Sequence, residues 1–137
     1  MKTIGIQIKS SEAIVVVLEK DALNNITQTN ECSKFKIDEP NDHIQVKQFR
    51  DQINATFDLV GPAKIGIITR NANGKGEYAP SPISFKLEGI IQLYDKVEVE
   101  FVAPKTITTY FKKNNKTVKS KNVYQENAFD LAYYLFK

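Results

Sequence analysis

The chain has 137 residues, 42% hydrophobic and 26% charged, with a formal net charge of +3. That is the size and balance of one ordinary globular domain, long enough to bury a core and too apolar for a disordered chain. Its single cysteine, Cys32, excludes an intrachain disulfide and a multi-cysteine zinc site, and it fits a reducing cytoplasm.

Residues 3–9 alternate and are rich in isoleucine, which predicts a first strand. Residues 13–18 form a continuous β-branched run, a second strand joined by a tight turn at Ser10, Ser11 and Glu12. The run is far too short to span a membrane. The opening residues 1–9 lack the long apolar core of a signal peptide, so no leader is expected there. The polar stretch 21–30 reads as a turn, and residues 31–37 as a third strand carrying Cys32, Phe35 and Ile37. Short links imply antiparallel pairing of these three strands.

The period changes after Pro40. Asn41 or Asp42 can cap a helix whose buried face is Val46, Phe49, Ile53, Phe57 and Val60, and Gly61 with Pro62 ends it. Residues 64–70 hold a short buried strand and 71–82 a loop. Ser81 and Pro82 open a second helix with Ile83, Leu87, Ile90, Ile91 and Tyr94 inward. Residues 97–102 alternate as a fifth strand. Pro104 starts a short helix, and a last helix begins at Asn122 or Val123 and runs to Phe136. Antiparallel strands followed by helix–strand alternation predict one α/β domain over residues 1–137, with a five-stranded mixed sheet in the order 3-2-1-4-5.

Charge is unevenly distributed. Residues 101–125 contain Lys105, Lys112, Lys113, Lys116, Lys119 and Lys121 and no Asp or Glu, a local +6 in a chain whose total is +3, so the remainder carries −3. Such a segment attracts phosphates without reading sequence. Asn114, Asn115 and Ser120 add hydrogen-bond donors, and Tyr110, Phe111 and Tyr124 offer rings for base stacking. Arg70 and Lys75, beside Gly74 and Gly76, form a second cationic loop without P-loop spacing. His43 has no partner for metal or nucleophile chemistry and reads as a surface residue. Cys32 reads as a small strand residue.

The stretch Val-Glu-Val-Glu-Phe-Val-Ala-Pro-Lys-Thr-Ile-Thr-Thr-Tyr-Phe-Lys-Lys at 97–113 resembles the bacterial Holliday-junction resolvase family, in its strand, Ala-Pro-basic turn, short helix and basic loop. Ile4-Gly5-Ile6 and Glu-Asn-Ala-Phe-Asp-Leu-Ala-Tyr at 126–133 match its opening and its last helix. Phe85-Lys86-Leu87-Glu88 and Gln125-Glu126-Asn127-Ala128-Phe129 resemble a group of uncharacterised bacterial proteins of resolvase-like fold. The resemblance implies a ribonuclease-H-like fold and, in an active member, two divalent metal ions such as Mg or Mn held by clustered carboxylates. It places one carboxylate position at Gln7 and another at Thr69, next to Arg70, which would repel a metal. The final helix supplies Glu126 and Asp130, expected on a solvated face. Glu88 is expected on the outer face of its helix. No metal site is assigned.

The sequence therefore predicts a resolvase-like domain that binds DNA or RNA through Arg70, Lys75, Lys105, Lys112, Lys113, Lys116, Lys119 and Lys121, with a degenerate or absent nuclease centre. Two alternatives stand beside it. One is an active metal-dependent, structure-specific nuclease using Glu126 and Asp130, with Glu88 and Gln7. The other is a protein-interaction module. The resemblance also allows a homodimer. No membrane association is expected.

Overall fold

A computed structural model describes residues 1–70 and 80–137, so Lys75 and its glycine-rich neighbours lie outside the described residues. The elements run β1 (Lys2–Lys9), β2 (Glu12–Lys20), β3 (Ile26–Gln28), β4 (Ser33–Lys36), α1 (His43–Val60), β5 (Lys64–Ile68), α2 (Pro82–Ile91), β6 (Val99–Val102), α3 (Pro104–Lys113), a 3-10 turn (Val123–Gln125) and α4 (Glu126–Tyr134). The sheet order is β3-β2-β1-β5-β6, with β4 also paired to β2. β1 and β2 are antiparallel, whereas β1–β5 and β5–β6 are parallel.

This is the predicted mixed sheet with one strand more. The polar stretch read as a turn contributes β3, because Asp21 organises a tight reversal. Its carboxylate accepts the backbone N–H groups of Leu23 and Asn25, both at 2.9 Å, and Asn24 takes the left-handed conformation at φ 66°. The reversal returns Ile26 to the sheet, where it is buried. β3 and β4 pair with successive parts of β2, at Leu18 to Lys20 and at Glu12 to Val15.

Helices cover both faces of the sheet, which explains why residues 13–18 are continuously apolar rather than alternating. Ala13, Val15 and Val17 join Ile4, Ile6, Ile8, Ile65 and Ile67 under α1 and α2, against Phe49, Ile53, Phe57, Leu87 and Ile91. Ile14, Val16 and Leu18 face the other way, against Ala128, Phe129, Ala132 and Tyr133 of α4. α1 begins at Asp42, whose side chain accepts from the Ile44 N–H at 3.0 Å. It ends at Gly61, whose φ of 61° and N–H bond to the Phe57 carbonyl make a left-handed stop.

The second face is set by a close approach. A Cβ on Gly5 would overlap the Ala128 carbonyl oxygen and lie 2.6 Å from the Ala132 nitrogen, so only glycine lets the α4 backbone rest on β1. Thr3, two residues earlier on the same face, donates its hydroxyl to the Ala132 carbonyl at 2.7 Å. Gly66, paired with Gly5 across the parallel ladder, leaves room for Leu131 and Leu135. Ala128, Leu131, Ala132 and Leu135, spaced by three and four along the last helix, are buried. Tyr133 and Phe136 complete the same core, while Leu93 stays 70% exposed. Among the described residues no helix is long and apolar enough to cross a membrane.

Candidate functional site

β1 presents Thr3, Gly5 and Gln7 to α4 in turn. The first two are covered by Ala132 and Ala128, and Gln7 emerges where the helix begins. There the carboxyl ends of β1 and β5 meet α3 and α4 around a groove of about 470 Å³. The carboxyl ends of strands in open α/β sheets are where ligands are usually received. Pro104, Ile107 and Phe111 of α3 supply apolar wall. Gln7, Thr69 and Asn127 supply neutral polar groups, and Arg70, Lys112, Lys116 and Asp130 supply charge. Among the described lining residues, three cations thus border the groove together with one carboxylate. A second groove of about 650 Å³ adjoins the first through Lys116 and is lined also by Lys119, Lys121 and Glu126.

The charged residues differ in how tightly they are held. Asp130 is not on a solvated face: its side chain is 20% exposed, and the Lys116 ammonium donates to its Oδ1 at 2.7 Å. Glu126 is exposed and lines the neighbouring groove instead. Glu88 corrects the prediction of an outward acid. Ser84 is fully buried, and one turn later Glu88 follows it inward to meet Arg70 at 3.4 Å, with both side chains 14% exposed. Arg70 further donates to the Ser84 carbonyl at 3.4 Å and stacks on Phe85, its guanidinium carbon 4.4 Å from the ring centroid. Its Nε is buried without a hydrogen-bond partner among the described residues. Arg70 is therefore a half-committed cation at the groove wall rather than a mobile loop residue.

Within the lysine-rich segment, Lys105, Lys112, Lys113 and Lys119 are exposed, and Lys121 reaches Asn30 at 3.1 Å. Some predicted phosphate donors are used internally. The Asn114 amide donates to the Tyr110 carbonyl and the Ser120 hydroxyl to the Asn122 carbonyl, both at 2.9 Å. Tyr110 and Phe111 pack edge-to-face at 5.0 Å and are half-buried, so of the three predicted stacking rings Tyr124 alone is exposed, with the Lys34 ammonium 4.0 Å from its centroid. His43 is exposed at the start of α1. Cys32 is half-buried, its sulfur accepting from the Val17 N–H at 3.3 Å.

Sequence reasoning placed Phe111 and Lys112 at the site but did not assign Pro104, Ile107 or Asn127 to it. The usable signal was the Gly5 and Gly66 pair, which marks where α4 sits and hence which of its residues border the strand ends.

Among the described residues the donor set does not fit a pair of divalent metal ions. Hard cations need several anionic oxygens. The groove offers Asp130, already neutralised, with the amide of Gln7 and the hydroxyl of Thr69 at the positions where the resemblance implies acids. Among the described residues no group of three or more His, Cys, Asp and Glu side chains is placed to hold a metal.

Comparison with known proteins gives a family and a fold. A family model described as "Protein of unknown function (DUF3010)" matches residues 1–135, and the chain belongs to that family. No curated protein matches the sequence. Among solved structures, RuvC of Thermus thermophilus superposes with a TM-score of 0.73 at 10% identity, covering 96% of this chain and 91% of that one. Thermus thermophilus RuvC in complex with a Holliday junction substrate gives 0.69 at 10% identity, covering 99% and 94%. The fowlpox virus resolvase with its substrate Holliday junction DNA gives 0.57 at 14% identity, covering 98% and 96%. The fold is thus the ribonuclease-H-like fold of resolvases, as the element order predicts.

Proposed function

We propose that this chain is a nucleic-acid-binding domain of resolvase-like fold that holds phosphate groups in the groove between α3 and α4 without cleaving them. The observation that carries the reading is the lining of the groove: Arg70, Lys112 and Lys116 border it at the carboxyl ends of the parallel strands with Asp130 as the one carboxylate among the described lining residues, while Glu88 pairs with Arg70 from behind the wall. The exposed ammonium groups of Lys105, Lys113 and Lys119 extend the same sign beyond it. Resolvases of this fold have been solved with Holliday junction DNA, which makes a branched duplex the first ligand to test. Phosphate contacts of this kind position a backbone and carry no base information, so binding is expected on DNA of any sequence.

The chemistry of the described side chains supports the non-cleaving part of the reading. Two-metal hydrolysis requires carboxylates that are free to ligate. Asp130 is occupied by Lys116, Glu88 by Arg70, and Glu126 lines the adjoining groove.

The test is binding of labelled four-way junction, duplex and single-stranded DNA across a salt series. The affinity should fall linearly on a log–log plot, with a slope of about −0.9 for each phosphate neutralised. Reversing Lys112, Lys113 and Lys119 together to Glu should abolish binding at moderate salt. No binding at low ionic strength, or a triple variant as tight as the parent, would remove the reading. Cleavage of the junction in Mg or Mn that Glu126→Gln abolishes would refute its non-catalytic part.

A further inference from the structure

The Lys116–Asp130 pair is better organised than a surface ion pair between two mobile side chains. The ammonium is 2.7 Å from the carboxylate, with the two side chains only 30% and 20% exposed. The same ammonium stands 5.2 Å from the centroid of the Phe111 ring, within cation–π range. The backbone on either side of Lys116 is tied to the Tyr133 hydroxyl, which receives the Thr117 N–H at 3.2 Å and donates to the Asn115 carbonyl at 3.4 Å. Tyr133 lies on α4 one turn after Asp130, and it is buried. One helix therefore holds both the carboxylate and the anchor that delivers the ammonium to it.

We infer that Lys116 is a tethered cation that takes the place of a metal ion on Asp130, so that the groove is a metal-independent phosphate site. The inference rests on the reading that the groove receives phosphate. A lysine ammonium has three N–H donors. One is spent on Asp130, and two remain for phosphate oxygens in a groove that Lys112 and Arg70 also line. A divalent ion approaching Asp130 would have to displace an ammonium that is covalently part of the chain, and among the described lining residues it would find neutral oxygens from Gln7, Thr69 and Asn127 as further ligands. Lys116 also borders the adjoining groove, so a backbone held by it can continue toward Lys119 and Lys121.

Two measurements on the full chain test this. The first needs no nucleic acid: Mn is titrated into the isotopically labelled protein, and paramagnetic broadening of the Thr69, Asn127 and Asp130 amide signals is followed. The parent chain should show none at metal concentrations where Lys116→Met shows it, and Asp130→Asn added to that variant should remove it again. Site-localised broadening in the parent overturns the inference, as does its absence in a folded Lys116→Met variant. Lys116→Gln serves if the Met variant does not fold, and the parent titration decides on its own. The second compares junction binding in EDTA and in Mg at equal ionic strength. Equal or tighter binding in EDTA is expected, and binding that requires Mg overturns the inference. A chain that binds no nucleic acid but follows the expected Mn behaviour would defeat the phosphate reading while leaving the Lys116–Asp130 substitution intact.

Discussion

The two faces of the sheet solve different problems with the same strands. Under α1 and α2 the contact is made by large side chains: Phe49, Ile53, Phe57, Leu87 and Ile91 meet the isoleucines of β1 and β5, and all are buried. Under α4, Phe129 and Tyr133 pack on β2 in the same way, but over β1 and β5 the contact is made by removing side chains, with Gly5 and Gly66 letting the helix come down onto the strands. The first arrangement yields a filled core. The second brings a helix start so near the strand ends that Gln7, Asn127 and Asp130 share one groove with α3. The closed face carries stability, and the face built on glycine carries the candidate chemistry.

The largest effect is expected on the closed face. Phe57 is fully buried and meets Tyr94 edge-to-face at 5.0 Å. Phe57→Ala should cost about 3–5 kcal/mol, read as a lower denaturant midpoint at unchanged slope. Nucleic-acid binding should persist wherever the variant is folded, because nothing in the groove touches that ring. Gly5→Ala should cost about 1–3 kcal/mol by overpacking. It should also weaken junction binding, since α4 must lift from β1 and carry Asn127 and Asp130 with it. A Gly5→Ala variant with parental stability and binding would break the contrast between the faces.

The closed face was also the more legible one. Its helix stripe, the Asp42 cap and the Gly61 stop follow from spacing and backbone preference, because the relevant neighbours are three or four residues apart. The glycine-built face depends on meetings that spacing does not encode. Arg70 reaches Glu88 across the segment that joins β5 to α2, and Lys116 reaches Asp130 from a loop pinned by Tyr133. Lys86 and Gly89, both exposed, suggest that Glu88 points outward too. The burial of Ser84, one turn before Glu88, shows the opposite. β3 escaped for a related reason: three residues are too few for a period, and the turn that places them is made by one aspartate. The lysine segment was visible as charge, but charge does not say which ammonium is already engaged.

The smallest effect is confined to high pH and again belongs to the closed face. Tyr94 donates to Asp58 at 2.8 Å, and Lys96 donates to the same oxygen at 2.8 Å. Burial, reinforced by the bond to Asp58, pushes the Tyr94 hydroxyl from 10.0 up to about 12. The folded state therefore keeps its proton where the unfolded state has lost it. The stabilisation is fully present below about pH 10 and disappears as pH rises from about 10 to about 12. Tyr94→Phe keeps the ring against Phe57 and removes the titration, so its stability should change less with pH across that window than the parent's. Asp58, held below the usual carboxylate range by its bonds to Lys96 and Tyr94, acts at the opposite end: its contribution is present above the ordinary aspartate value of 3.8 and is lost as pH falls below it. If denaturant midpoints of parent and Tyr94→Phe fall in parallel between pH 10 and 12, the loss arises elsewhere, and Tyr94 serves the closed face only through its ring.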